Sequence, residues 1–208
     1  MSRYTGPRCR ICRREGMKLF LKGERCFKAA CAMERRAYAP GQHGQGRTKA
    51  TEYGIRLREK QKLRRIYGLT EAPFRRFFRE AERVKGVTGA NLLQLLERRL
   101  DNVVFRLGFA ASRPSARQLV RHGHIRVNGK DAGMPGRLVR AGDSVTVRNY
   151  LHENVQVKDS IQVATHRGVP SWLELKADAF EGVVKGLPSR DDAGAPVNEQ
   201  LIVEFYSR

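Results

Sequence analysis

The chain has 208 residues, of which 40% are hydrophobic and 8% aromatic, so the sequence predicts a modest core in one large or two small domains. Lysine and arginine total 41 against 21 aspartate and glutamate, a formal net charge of +20. Such an excess favours a polyanionic partner, and nucleic acid is the obvious one. Because no run of 18 apolar residues and no secretory signal is recognisable, we expect a cytoplasmic protein rather than a secreted or transmembrane one.

The positive charge is concentrated toward the N-terminus. Residues 1–86 hold 24 cationic and 8 anionic side chains, whereas residues 87–163 hold 12 and 6. Residues 164–208 hold 5 and 7 and are therefore slightly acidic. This distribution predicts that a polyanion docks on the N-terminal half.

Four cysteines, the chain's full complement, form a C-x2-C-x13-C-x4-C pattern: Cys9, Cys12, Cys26 and Cys31. This spacing is typical of one structural Zn²⁺ ion held tetrahedrally by four thiolates, with no coordination position left for a catalytic water. Two disulfides are the alternative, but reducing conditions in the cytosol oppose them. An iron–sulfur cluster also suits four thiolates, so both alternatives stay open.

An irregular stretch follows the cysteines, because Pro40 and three glycines interrupt any regular pattern between Arg35 and Arg47. It is either a linker or an extended arm whose side chains meet phosphates and sugars. A catalytic role for His43 is not expected, since no nucleophile or orienting carboxylate accompanies it. The candidate ligands of the arm are Arg35, Arg36, Gln42, His43 and Arg47.

A strongly basic helix is predicted from the Thr51 cap to Tyr67. Its only acid between Arg56 and Arg65 is Glu59, which favours docking to phosphates over an ordinary solvated face. The candidate ligands on this helix are Arg56, Arg58, Lys60, Lys62, Arg64 and Arg65. The next predicted helix begins at Thr70 and carries an apolar stripe expected to be core, namely Phe74, Phe77, Phe78 and Ala81.

A helical pattern from Thr88 breaks near Glu97, where we expect a domain boundary, and then resumes to Gly108. A shorter helix, capped by Ser112 and ended by Gly123, would present one arginine stripe. That stripe consists of Arg113, Arg117 and Arg121. Strands are predicted over 124–127 and 144–147, and the dipeptide at 128–129, Asn-Gly, favours a tight hairpin turn.

Several of these stretches resemble a known family. Residues 100–110, 116–125, 127–129 and 142–143 resemble the small RNA-binding module named after ribosomal protein S-four. Arg35-Arg36 and residues 40–44, 53–68 and 196–208 extend the resemblance to the bacterial S-four family of the small ribosomal subunit. The four cysteines are similar to the zinc-bearing variant of that family.

The resemblance implies an α+β fold: an N-terminal four-cysteine zinc knuckle and a helical domain, with an inserted S-four-type module of two helices on a small sheet. The implied boundaries are 1–45 for the zinc-binding segment and arm, 46–97 for the basic helical domain, 98–163 for the module, and 164–208 for a mixed segment that returns to the helical domain. In the module, His122 and His124 join the candidate RNA ligands.

The resemblance further implies a structural constituent of the small subunit that binds its ribosomal RNA at a multi-helix junction, nucleates assembly and contributes to translational accuracy. Its expected partners are this RNA and neighbouring proteins including S-five, with no membrane contact and no independent homo-oligomer.

Two other classes can carry the same module. In pseudouridine synthases, an Arg-Leu-Asp tripeptide like that at residues 99–101 holds the catalytic aspartate. Here, however, it opens the module's first helix, where Asp101 would serve the helix terminus. Too few residues follow 163 for a separate catalytic domain, so no enzyme is expected. A free RNA-binding regulator would need only the module and a basic tail.

Overall fold

A computed structural model describes residues 4–46, 49 and 51–207. Its helices are α1 (Cys9–Glu15), α2 (Ala32–Arg35), α3 (Glu52–Ile66), α4 (Glu71–Arg83), α5 (Thr88–Glu97), α6 (Leu100–Arg106), α7 (Arg113–Arg121), α8 (Val155–Arg167) and α9 (Glu199–Tyr206). Its strands are β1 (Ile125–Val127), β2 (Lys130–Asp131), β3 (Ser144–Val147), β4 (Leu173–Lys176) and β5 (Glu181–Val184). Short 3-10 helices span Gly23–Cys26, Asn149–Leu151 and Asp191–Ala193.

The described chain divides into two compact units. The helical unit contains residues 4–91 and 195–207, and the sheet unit contains residues 92–194, so the division between the two units falls inside α5, a few residues before its end at Glu97. Residues 164–194 belong to the sheet unit, and only the chain from 195 onward returns to the helical unit. The expectation that 164–208 returns as one segment is therefore wrong.

The helical unit is built around α3, α4 and α9. As predicted, Thr51 caps α3, since its hydroxyl accepts a bond from the Gly54 amide at 3.1 Å. Phe74, Phe78 and Ala81 of α4 are buried, which confirms three members of the predicted core stripe, whereas Phe77 is half-buried. The C-terminal helix α9 packs along α3 and buries Ile202 completely.

A polar cluster ties α3, α4 and α9 together. The Lys60 ammonium and the Tyr206 hydroxyl both donate to one Glu71 oxygen, at 2.9 and 2.8 Å. The Lys60 ammonium also lies 4.7 Å from the centroid of the Phe205 ring. Burial opposes ionisation of Glu71, but Lys60, Tyr206 and Arg64 outweigh it and hold its pKa below the usual value.

This cluster predicts acid-induced loosening of α9. A carboxylate whose pKa is lower in the folded state stabilises the fold fully above its unfolded pKa, near 4.5 for Glu71, and less as the pH falls below that value. Amide exchange over Glu199–Tyr206, corrected for its intrinsic pH dependence, should therefore accelerate below about pH 4.5. Glu71→Gln should abolish the acceleration, whereas Glu82→Gln, on the exposed side of α4, should retain it.

The sheet unit holds a five-stranded antiparallel sheet in the order β2-β1-β3-β5-β4. The predicted hairpin is confirmed between β1 and β2: Asn128 and Gly129 have φ of +52° and +74°, as a two-residue turn of this hand requires. Ile125 and Val127 face the core, and Arg126 between them is exposed.

The segment after β3 extends this sheet and covers α6. Gly108 ends α6 with a φ of +87°, and a Cβ there would lie 2.1 Å from the Ala164 side chain of α8. Gly182 of β5 similarly leaves room for Leu107, whose side chain a Cβ would approach to 2.3 Å. These close approaches explain why residues 155–184 stay with the sheet unit. Within the described ranges, no helix is both long enough and apolar enough to cross a bilayer.

Candidate nucleic-acid interface

The cations of α3 are largely compensated by the protein's own carboxylates. The sequence suggests six cations facing a single acid, but further acids arrive from other elements. The ion pairs are Arg56 with Glu52 and Glu204, Arg58 and Arg65 with Glu15, Lys60 and Arg64 with Glu71, and Lys62 with Glu59. Lys60 is only 5% exposed, so its expected role as a surface phosphate ligand is wrong.

Glu15 joins α1 to the middle of α3. Its side chain is 1% exposed, and one of its oxygens lies 2.6 Å from the Arg65 guanidinium and 3.5 Å from that of Arg58. Burial raises the pKa of this carboxyl despite the two nearby cations. Glu15 therefore fixes the positions of Arg58 and Arg65, and a part of each side chain still faces solvent.

Helix α4 carries a more exposed basic face than α3. Arg75, Arg76 and Arg79 are exposed, on the side opposite the buried phenylalanines. Among the described residues, no carboxylate forms an ion pair with Arg76 or Arg79. The sequence-based site omits these arginines, although the same amphipathic pattern that buries Phe74 and Phe78 places them on the outer face.

The arm is anchored at its base and exposed beyond it. The Arg13 guanidinium donates to the Tyr38 carbonyl at 3.0 Å and lies over the Tyr38 ring at 5.1 Å. A tight turn follows, in which a Cβ at Gly44 would approach the Ala39 carbonyl to 1.8 Å. The exposed candidates are Arg35, Arg36, Gln42 and His43, while Arg47 lies outside the described residues. The arm thus presents polar side chains on a fixed base.

Only part of the arginine stripe of α7 is exposed to solvent. The Arg117 guanidinium donates to Asp101 at 3.0 Å, and its side chain is 11% exposed. The Arg113 guanidinium donates to Oδ1 of the Asn102 side chain at 2.7 Å. Arg121 is exposed. The predicted three-residue stripe is therefore wrong for Arg113 and Arg117, which turn inward because buried acids on the neighbouring segment require cations.

Two buried carboxylates organise that ionic network. Asp101 accepts two bonds from Arg99, at 3.1 and 2.6 Å, in addition to the bond from Arg117. Glu97, with 0% side-chain exposure, accepts two bonds from Arg106 at 2.9 and 2.8 Å. The sequence predicts that Asp101 serves only the helix terminus. In the structure, Asp101 is instead part of an ion-pair network with Arg99 and Arg117.

The two histidines between α7 and β1 lie close together. The rings of His122 and His124 have centroids 5.7 Å apart. Tyr150, which the sequence does not single out, contacts His124 with both its hydroxyl and its ring. Exposed Arg121 precedes this group directly in the chain.

The cysteines gather around one small cavity. All four thiols are free, and together with Arg8 and Lys22 they line a cavity of about 20 Å³. Burial, reinforced by the neighbouring sulfurs, raises the pKa of Cys12 and Cys26. The donor set suits a thiophilic ion, although the described residues place no three acidic, histidine or cysteine side chains close enough to form a finished coordination shell. None of the four cysteines is joined in a disulfide in this structure.

Comparison with known proteins agrees with this architecture. Residues 3–97 match the model of the ribosomal protein S4/S9 N-terminal domain, and residues 98–145 match the S4 domain. Small ribosomal subunit protein uS4 of Pelobacter propionicus and that of Geobacter sulfurreducens are each 60% identical over 208 residues, covering 100% of both chains. The same protein of a Thermoanaerobacter species is 61% identical over the same span.

These matches define a ribosomal protein that carries an S4 RNA-binding domain. The chain belongs to the small ribosomal subunit protein uS4 family, whose members are structural rather than enzymatic.

Proposed function

We propose that the chain is a structural constituent of the cytoplasmic small ribosomal subunit and binds the ribosomal RNA of that subunit directly. The observation that carries the proposal is the distribution of exposed cations over separate elements. The arm contributes Arg35 and Arg36, α4 contributes Arg76 and Arg79, and the end of α7 contributes Arg121. Cations on separate rigid elements can contact phosphates of more than one RNA helix at once.

This arrangement supports a mechanism based on position rather than chemistry. A protein that holds several helices of a multi-helix junction stabilises their relative orientation, and so favours the early steps of subunit assembly. Recognition would depend on RNA shape more than on base sequence, because phosphate contacts carry little sequence information.

The C-terminal face of the helical unit suits a protein partner better than RNA. Exposed Tyr53 lies beside Phe205, and Glu52 and Glu204 each pair with Arg56 on the same side of the unit. Carboxylates repel phosphates, whereas aromatic side chains are favoured at protein interfaces. We propose that ribosomal protein S-five binds this face and that the contact contributes to translational accuracy.

We also propose one structural Zn²⁺ ion held by Cys9, Cys12, Cys26 and Cys31. The shared cavity and the free state of all four thiols support this assignment. When bound, the ion would cross-link the two halves of the segment, with Arg8 and Lys22 offsetting the excess negative charge of four thiolates.

Ultraviolet crosslinking in lysate, followed by sequencing of the attached RNA, tests the proposed function. Reads concentrated at one junction of the small-subunit ribosomal RNA are expected. Reads scattered over messages or transfer RNA would contradict it and favour a free regulator. Sedimentation at moderate salt gives a second test, because a structural constituent stays with the small subunit and a regulator leaves it.

Removing exposed arginines of α4 should reduce the salt dependence of RNA binding. For Arg76→Gln combined with Arg79→Gln, the slope of log affinity against log salt should fall by about 0.7 to 0.9 per lost phosphate contact. The matched control is Lys176→Gln with Lys185→Gln, which removes the same charge from lysines already paired with Glu181 and Glu174. Filter binding at several salt concentrations measures both slopes. Equal slopes for both double variants would show that α4 faces away from RNA.

A further inference from the structure

Tyr150 is an exposed aromatic residue that is fixed in place. It lies in the 3-10 helix Asn149–Leu151 that follows β3, and it is 61% exposed. Its hydroxyl lies 2.5 Å from Nδ1 of His124, and its ring meets the His124 imidazole edge-on with centroids 5.7 Å apart. The ring is therefore oriented by a neighbour while much of its surface remains open to solvent.

The two histidines extend this aromatic surface. The His122 ring lies 5.7 Å from that of His124 at an interplanar angle of 62°. Partial burial, His122 and Arg148 together lower the pKa of His124, which favours its neutral imidazole. A neutral imidazole next to a phenol offers flat aromatic surface and hydrogen-bonding groups in one place.

Two arginines lie next to the histidine in the sheet, Arg148 through its backbone and Arg126 through a shared carboxylate. The Arg148 amide donates to the His124 carbonyl at 3.0 Å, which fixes the backbone of Arg148 next to the histidine. The Arg148 and Arg126 guanidiniums both contact Asp131, and the Arg126 contact measures 3.2 Å. One carboxylate thus serves two guanidiniums, and the surroundings keep a net positive charge.

This combination is poorly explained by folding alone. Tyr150 lies outside the buried cluster that forms the core of the sheet unit. Exposing an aromatic ring and restricting its side chain are both unfavourable in the free protein. An oriented aromatic ring among cations is, however, the arrangement that proteins use to stack unpaired bases of RNA.

We propose that Tyr150, together with His122 and His124, forms a stacking site for one unpaired base of the bound RNA. The inference rests on the proposed function and adds a contact to a base, whereas the cations described above contact phosphates. Arg126 and Arg148 then face the phosphates that flank the stacked base. The positive surroundings disfavour a basic or apolar protein partner, and the oriented aromatic ring favours an RNA base over an acidic protein surface as the occupant.

The test compares variants of the full chain for affinity toward purified small-subunit ribosomal RNA. Tyr150→Ala and Tyr150→Leu should weaken binding roughly 5- to 100-fold, and Tyr150→Phe should bind within about threefold of the wild type because it keeps the ring. Since no phosphate contact is removed, the slope of log affinity against log salt should stay unchanged in all three. The control is Tyr53→Ala, which removes an exposed tyrosine from the face assigned to a protein partner.

The other outcomes overturn either the proposed function or the stacking site. A wild-type chain that fails to bind this RNA overturns the proposed function itself. Wild-type binding with equal affinity for Tyr150→Ala and Tyr150→Leu overturns the stacking site. Unchanged RNA affinity with impaired incorporation into the small subunit also overturns it and indicates a protein contact. Trp172 fluorescence during urea unfolding checks that the sheet unit of each Tyr150 variant is folded, and far-ultraviolet circular dichroism checks the Tyr53→Ala control. If neither Ala nor Leu folds, the test is ultraviolet crosslinking of the wild type, which should yield a nucleotide adduct on Tyr150; an adduct-free Tyr150 overturns the site.

Discussion

Glu97→Gln is expected to destabilise the sheet unit by about 3 to 5 kcal/mol, because it removes the charge that compensates buried guanidiniums. The Glu97 carboxylate is fully buried and accepts two bonds from Arg106 and one from the Asn102 amide. Glutamine keeps the size of the side chain but supplies one acceptor oxygen where the carboxylate supplies two. Arg106 would then lose the carboxylate that now lies 2.8 Å from its guanidinium.

Trp172 makes this effect measurable in one unit of the chain. It is the single tryptophan, it is buried, and it lies in the sheet unit, so its fluorescence during urea unfolding reports on that unit. The matched control is Glu174→Gln, whose exposed carboxylate lies 3.2 Å from Lys185 and should contribute less than about 1 kcal/mol. Unfolding midpoints that coincide for Glu97→Gln and the wild type would show that the buried charge is dispensable.

Local elements of this fold follow directly from the sequence. Thr51 and Ser112 cap helices because their hydroxyls accept backbone amides three residues later, and both bonds are present. The turn at Asn128 and Gly129 forms because both residues tolerate positive φ. The amphipathic pattern of α4 likewise determines which side of that helix is buried. In each case the controlling interaction spans only a few residues.

The errors concern interactions between residues far apart in the chain. Arg56 pairs with Glu204, 148 residues away, and Arg65 pairs with Glu15, 50 residues away. Counting charges within α3 cannot reveal these partners. The count therefore overestimates how many cations of this helix are available to bind phosphates. Strands β4 and β5 were missed as parts of the sheet for the same reason, since each is four residues long and is stabilised by pairing with distant segments.

Removing the proposed metal ion should have a large but local effect. Structural zinc contributes on the order of 10 kcal/mol to the folding of small metal-bound segments, because the ligands are not brought together in the unfolded chain. A strong chelator should therefore accelerate amide exchange from Cys9 to about residue 40. The Trp172 unfolding midpoint should not change, because the sheet unit has its own core.

The purified chain should contain one zinc ion and show no visible absorbance. A coloured iron–sulfur cluster would contradict the assignment of zinc.

Substitutions can separate metal binding from packing in this segment. Cys26→Ser combined with Cys31→Ser should abolish stoichiometric zinc, whereas Met33→Leu should retain it, although Met33 lines the same cavity. The protection of α1 against amide hydrogen exchange should then disappear only in the cysteine variant. Helix α3 should keep its amide protection in both variants, because its buried residues Leu63 and Ile66 do not depend on the metal. The loss of amide protection should therefore not extend beyond the contact between Glu15 and Arg65. If the cysteine variant keeps full protection of α1, packing alone would hold the segment and the zinc assignment would fail.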